Sequence, residues 1–250
     1  MFLIPASWYA VRAAKNKGRG VYARRDIPAG TVIGDYRGTI VRPEEENERR
    51  DGLYTMSIDD RYDVLAHPRT KGIHLINHSC AATCGIYPYR GHILYVAARK
   101  IFAGEEVTVN YMLGKTDGEG NDIPCTLHAC HCGTMICTGS MHESERTYGD
   151  WEKMRKRGAP PRGSAMPAPY GAMLPPLAHY PVAVNLSAPG PYRFNAFGAE
   201  IKPPERYPEK TLPALEALRA RIRTTGRQLR FPKLRLTVYG IRDGLLIVKR

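Results

Sequence analysis

The run Asn77-His78-Ser79-Cys80, followed by Gly104-Glu105-Glu106-Val107-Thr108-Val109-Asn110-Tyr111 and then by Cys130-x-Cys132-Gly133-x-x-x-Cys137-x-Gly139, decides how the rest of the chain is read. The middle segment alternates apolar and polar residues after a glycine turn, the pattern of a strand that carries Tyr111 to its end. All six cysteines lie between Cys80 and Cys137. Without secretory features, close Cys-x-Cys spacing reads as metal binding in a reducing compartment, not as a disulfide framework.

Working outward, the segment from Tyr9 to Tyr111 is a series of short β-rich runs broken by turn signals. These are Tyr9-Ala-Val-Arg, Val21-Tyr-Ala-Arg, Thr31-Val-Ile, Tyr54-Thr-Met-Ser-Ile, Ile93-Leu-Tyr-Val and Val107-Thr-Val. Their brevity predicts several small sheets, and the absence of βαβ alternation excludes a Rossmann-type enzyme. Helices should be short; Pro43 followed by Glu44, Glu45 and Glu46, with Arg49 and Arg50 at the far end, has the charge order of one. Arg25-Asp-Ile-Pro-Ala-Gly and Arg99-Lys-Ile-Phe-Ala-Gly resemble each other, although two copies do not make a repeat array. Lys17-Gly18-Arg19-Gly20 precedes a strand, where glycines let backbone come close to a ligand; alone it reads equally as a hairpin turn.

The chain has 250 residues and a formal net charge of +13. The first 150 residues carry 18 basic and 18 acidic side chains and the remainder 19 and 6, so the whole excess lies in the last hundred. Such a block attracts polyanions, with nucleic acid, nucleosomes or an acidic membrane face as the natural partners, and otherwise serves as a solvated tail. The stretch 158–213 holds 13 of the 20 prolines and reads as an extended or disordered linker, which places a domain boundary there. Beyond it, Leu212, Leu215, Leu218 and Ile222 lie on one face of an expected helix that stops at Gly226. Leu234, Leu236 and Val238 then alternate as a strand, and Asp243-Gly244 suggests a hairpin into Leu245-Leu-Ile-Val. So small a unit is expected to dock or self-associate. No segment approaches the roughly 18 apolar residues of a membrane span, and Pro5 cuts short the opening Met-Phe-Leu-Ile, so a soluble protein without a conventional secretory signal is expected.

The four motifs stand in the order found in SET-domain protein-lysine N-methyltransferases, and from Tyr9 to Met141 the chain resembles the trithorax-type branch with its post-SET cysteine cluster. The resemblance implies a mainly β, β-clip-like fold of several small sheets over residues 1–141, with a post-SET zinc segment at about 125–141. A basic, then proline-rich linker over 142–213 and a small helix-plus-hairpin unit over 214–250 would follow. It implies that S-adenosylmethionine is held by Lys17, Gly18, Arg19, Gly20, Tyr54, Asn77, His78 and Met141. Tyr111 is implied as the catalytic tyrosine, and Tyr36, within Asp35-Tyr36-Arg37-Gly38, as a second channel residue. Cys80, Cys130, Cys132 and Cys137 would bind a structural Zn2+; Cys84, Cys125, His128 and His131 stay open as alternatives. The implied substrate is a protein lysine, with histone as the expected target, in the nucleus or on chromatin where the cell has one and otherwise in the cytoplasm.

The chain departs from that family at Thr70-Lys71, where a Gly-Asn pair is usual, and at His74, where an arginine is usual. Ala81-Ala82-Thr83 follows Cys80, and Val109 stands where an aromatic residue tunes product state. These departures support a second reading, a catalytically weak SET module acting as a peptide-binding or nucleic-acid-tethered scaffold.

Overall fold

A computed structural model of the chain describes residues 1–43, 54–116, 120–158, 163–185, 193–194, 229–231, 236–242 and 245–249. The expected helices after Pro43 and over 212–226 lie outside those residues, Pro43 itself excepted.

The first hairpin pairs β1 (Tyr9–Ala14) with β2 (Gly18–Ala23) around Gly18, whose φ of +69° suits a residue without Cβ. Then come β3 (Val32–Asp35), β4 (Thr39–Val41), β5 (Thr55–Ser57), β6 (Asp63–Leu65), β7 (Asn77–His78), β8 (Cys84–Tyr89), β9 (His92–Ala97) and β10 (Glu106–Val109). Two curled sheets result, one of seven strands in the order β1-β2-β10-β8-β9-β3 with β7 on β10, and one of three in the order β4-β6-β5. The mainly β architecture of small sheets is thus the one expected, and each expected strand overlaps an observed one. β8 was not foreseen, because Gly85 and Pro88 break its pattern; its partner is the wholly buried β9.

The two similar Ile-x-Ala-Gly segments meet each other. Ile27 and Ile101 form an antiparallel bridge with N–H···O distances of 2.8 and 2.9 Å, and both side chains are fully buried. The motif is therefore a paired corner of the core. Around it Ile33, Ile40, Ile58, Ile76 and Val107 form one cluster joining both sheets.

Beyond the cysteines lies a helix that the sequence reading passes over, α1 (Glu145–Gly158). Ser144 caps it, its Oγ accepting the Thr147 N–H (3.2 Å), and Glu145 suits the positive end of the helix dipole. A charged run with Trp151 as the large buried apolar side chain among its described ones gives little periodicity. Trp151 nevertheless joins the core, and buried Arg155 bonds Ser57 Oγ (3.3 Å) and Asp60 Oδ1 (3.1 Å). Residues 163–184 are extended, as their prolines suggest, but they lie against the core: Leu174 and Val184 are wholly buried. Two short strands follow, β11 (Val184–Asn185) and β12 (Arg193–Phe194). At the C-terminus β13 (Leu229–Phe231), β14 (Leu236–Arg242) and β15 (Leu245–Lys249) form an antiparallel sheet. Arg242 pairs with Leu245, and the expected hairpin residues Asp243-Gly244 lie outside the described residues.

Candidate active site and metal centre

β10 gathers the site. It runs antiparallel to β2 and parallel to β7, with Thr108 beside Asn77 and Val109 beside His78. The glycine turn, the Asn-His pair and Tyr111 therefore meet although they are far apart in sequence. Asn77 Nδ2 donates to the Arg19 carbonyl (3.0 Å) and to Glu106 Oε1 (2.9 Å), and Lys17 Nζ pairs with Glu106 Oε2 (2.6 Å). A Cβ on Gly20 would stand 2.7 Å from Glu106 Oε1 and 2.8 Å from Asn77 Nδ2, so only glycine leaves this shelf open. Arg19 contributes backbone alone, since its guanidinium turns away to the Pro68 carbonyl (2.9 Å).

His78 and Tyr111 are joined edge to face at 5.4 Å between ring centres. The Tyr111 N–H donates to His78 Nδ1 (3.2 Å), which makes Nδ1 the acceptor and leaves the proton on Nε2, 3.6 Å from Cys80 Sγ. Burial, then the Lys17 ammonium, brings the His78 imidazole down to about 4, so the ring is neutral near pH 7. Burial pushes the Tyr111 hydroxyl up to about 12, so it keeps its proton. That proton goes to the Ile76 carbonyl (3.3 Å), and the Tyr36 hydroxyl donates likewise to the Tyr54 carbonyl (2.7 Å). Both phenol oxygens are left as acceptors.

Two participants were not singled out from the sequence. Glu106 ties Lys17 to Asn77; its signal was a carboxylate in a strand otherwise buried. Tyr95, on β9, is almost wholly buried, with its ring 6.2 Å from that of Tyr36, and burial followed by Tyr36 and Tyr111 raises its hydroxyl well above the usual range. In sequence it looked like any strand tyrosine. His74 packs edge to face on Tyr54 at 5.5 Å.

The Sγ atoms of Cys80, Cys130, Cys132 and Cys137 all lie within 4.8 Å of one another, a group that can hold a metal ion. Cys80 and Cys130 are 3.7 Å apart, and sulfurs at about 2.3 Å from a tetrahedral zinc ion stand about 3.8 Å apart. The donor set fits. Burial pushes the Cys80 and Cys130 thiols up; at Cys132 burial is outweighed by hydrogen bonds from the Thr134 hydroxyl and N–H, which bring it down to about 6. Cys84 is buried on β8, and Cys125, His128 and His142 form a separate string of contacts at 3.9 and 2.7 Å. Met141 sits in the cysteine segment, its N–H donated to the His128 carbonyl (2.8 Å).

The glycine shelf, the Asn-His pair and the strand-end tyrosine come together on the seven-stranded sheet, and residues 18–112, which hold all of them, match the family model described as a SET domain. The same region is homologous to trithorax-type histone-lysine methyltransferases. The chain is 34% identical over 131 residues to histone-lysine N-methyltransferase trithorax of Drosophila virilis, covering 48% of this chain and 3% of that protein. It is 31% identical over 132 residues to histone-lysine N-methyltransferase 2D of Homo sapiens, covering 48% and 2%, and 30% identical over 141 residues to histone-lysine N-methyltransferase ATX2 of Arabidopsis thaliana, covering 51% and 12%. The chain thus spans only a small part of the length of these relatives.

Proposed function

We propose that residues 1–141 transfer methyl groups from S-adenosylmethionine to a lysine of a protein, with histone as the substrate class, and that the basic C-terminal half over 151–250 contacts nucleic acid or nucleosomes. The observation that carries the catalytic part is the convergence of the Gly20 shelf, Asn77 and the His78–Tyr111 pair on one strand, β10. The sulfonium cofactor, when bound, supplies an activated methyl group. Asn77, the Arg19 carbonyl and the Gly20 shelf then hold its polar part, and Lys17, Glu106 and His78 fix these groups in place.

A lysine amine must arrive neutral, and deprotonating it near pH 7.4 costs about 4 kcal/mol at 1.36 kcal/mol per unit. An apolar, tyrosine-lined channel reduces that cost by penalising the ammonium. Tyr36 and Tyr111, with their own protons committed to carbonyls, accept from the substrate N–H and aim the nitrogen lone pair, so positioning supplies most of the rate. Zinc on the four cysteines would be structural, since four thiolates leave no open position. The same reading places the protein inside the cell, on chromatin where there is a nucleus. No helix among the described residues is long and apolar enough to cross a membrane.

Incubating the purified chain with labelled cofactor, histones and nucleosomes tests the reading. Tyr111→Phe should lower turnover about 100-fold with little change in the melting midpoint. Cofactor binding without methyl transfer by the wild type would favour the scaffold role.

A further inference from the structure

Beyond the cysteine segment and α1, the chain returns across the edges of both sheets. Residues 171–174 pair with β4: the Gly171 N–H donates to the Ile40 carbonyl, the Ile40 N–H to Ala172 and the Leu174 N–H to Gly38, each at 2.8 Å. Residues 182–184 pair with β3, the Val32 N–H donating to Val182 (3.0 Å) and the Val184 N–H to Gly30 (2.8 Å). β4 and β3 are terminal strands of the two sheets, so this strap occupies edges that would otherwise offer unpaired backbone. Its prolines fit that role, because the N–H groups used belong to Gly171, Leu174 and Val184.

Between the two pairings the strap grips the residues on either side of Tyr36. Tyr180 donates its hydroxyl proton to Asp35 Oδ2 (2.6 Å), the same oxygen that His92 Nδ1 meets at 2.8 Å, and the Tyr180 oxygen accepts the Leu177 N–H (3.0 Å). Asp35 is wholly buried, and its other oxygen has no hydrogen-bond partner among the described residues. On the far side, Arg37 donates from Nε (3.0 Å) and Nη2 (2.7 Å) to the Leu174 carbonyl. Tyr36 itself is fixed through its N–H on the Ile93 carbonyl (2.8 Å) and its hydroxyl on Tyr54. Both sequence neighbours of this tyrosine thus end on one segment that lies about 140 residues away along the chain.

We infer that the strap over 163–184 is a working part of the methyltransferase unit and that Tyr180 is a positioning residue for Tyr36. The inference rests on the proposed role of Tyr36 in the channel. Without the Tyr180 hydroxyl, a buried carboxyl group already short of partners loses a donor, and the 35–37 segment moves to find another. Tyr36 moves with it. A displacement of about 1 Å in a positioned group can cost about 100-fold in rate, and loss of one of the strap's two anchors, with the Met1 contacts to Asp35 and Arg37 kept, should cost about tenfold.

The test uses the full chain with Tyr180→Phe, Tyr36→Phe and the double variant, and Arg37→Gln as a second way to release the segment. Single-turnover methyl transfer, cofactor Kd by calorimetry and amide hydrogen exchange are measured well below each melting midpoint. Tyr180→Phe should slow transfer about tenfold while leaving the cofactor Kd within about twofold, and the Tyr36 amide should exchange about tenfold faster while the β8 amides keep their protection. In the Tyr36→Phe background the further loss should vanish, since both changes act through one hydroxyl. Unchanged exchange at Tyr36, an unchanged rate, or losses that multiply in the double variant would overturn the inference. A wild type that transfers no methyl group would remove the proposed activity, and exchange at Tyr36 would still decide whether the strap holds the segment.

Discussion

Gly20 faces two polar side-chain ends at 2.7 and 2.8 Å, Glu106 Oε1 and Asn77 Nδ2. Gly20→Ala should therefore displace Asn77 and Glu106 without breaking the sheet, weakening cofactor binding by about tenfold or more with a near-native melting midpoint; calorimetry with S-adenosylmethionine checks this. His74 gives a second residue-scale expectation. Burial first, then the Met1 ammonium, with Arg19 and His67 adding to it against a Thr70 backbone bond, brings its imidazole down to about 4. The unfolded chain, with an ordinary histidine near 6.5, takes up the proton first. Stability from His74 is thus complete above about pH 6.5 and is lost as pH falls toward about 4, by roughly 3 kcal/mol at the limit. Urea midpoints for the wild type and His74→Asn between pH 7.5 and 4.5 should converge as pH falls; parallel curves would refute it. Of these two residues, Gly20 was legible as a motif glycine. The Nε2 of His74, which has no hydrogen-bond partner among the described residues, was not, because its surroundings come from distant segments.

At the scale of elements, the cysteine segment depends on Cys80, which stands on the core side just after β7, while its three partners lie 50 or more residues later. A metal there ties the segment to the strand that carries Asn77 and His78. About one zinc per chain should be found by elemental analysis, and Cys80→Ser or a strong chelator should release it and make residues 125–141 sensitive to protease. A metal-free wild type, or full zinc in Cys80→Ser, would contradict this. His78 Nε2, 3.6 Å from Cys80 Sγ, links the two centres, in the way that outer hydrogen bonds orient metal ligands.

For the whole molecule, the family resemblance puts the end of the SET unit at residue 141 with a linker over 142–213, whereas residues 163–184 of that linker lie against the core. Leu174 and Val184 are wholly buried and Tyr180 reaches Asp35, so a chain ending at 162 should lose several degrees of thermal stability. A chain ending at 185 should keep cofactor binding and activity on a short peptide. If the chain has the proposed activity and the basic excess beyond residue 150 tethers it to a polyanion, that shorter chain should lose activity on nucleosomes at low salt. The difference from full length should shrink as salt rises. Equal loss on peptide and nucleosome would rule out the tether.

The sequence alone determined the features whose chemistry is local. Gly18 suits a positive-φ turn, and alternation with a leading Gly-Glu-Glu makes β10, so the fold class could be read in advance; Asn77, His78, Tyr111 and the four cysteines were singled out by the family resemblance, and the Sγ atoms of those cysteines do lie within 4.8 Å of one another. Tertiary structure alone decided the partners: Glu106 between Lys17 and Asn77, Tyr95 against Tyr36, Arg155 on Asp60, and Tyr180 on Asp35. The physical reason is that an extended strap pairing at a sheet edge needs no periodicity and tolerates proline, so its sequence is that of a linker. Only the buried side chains and filled backbone bonds show that it belongs to the core.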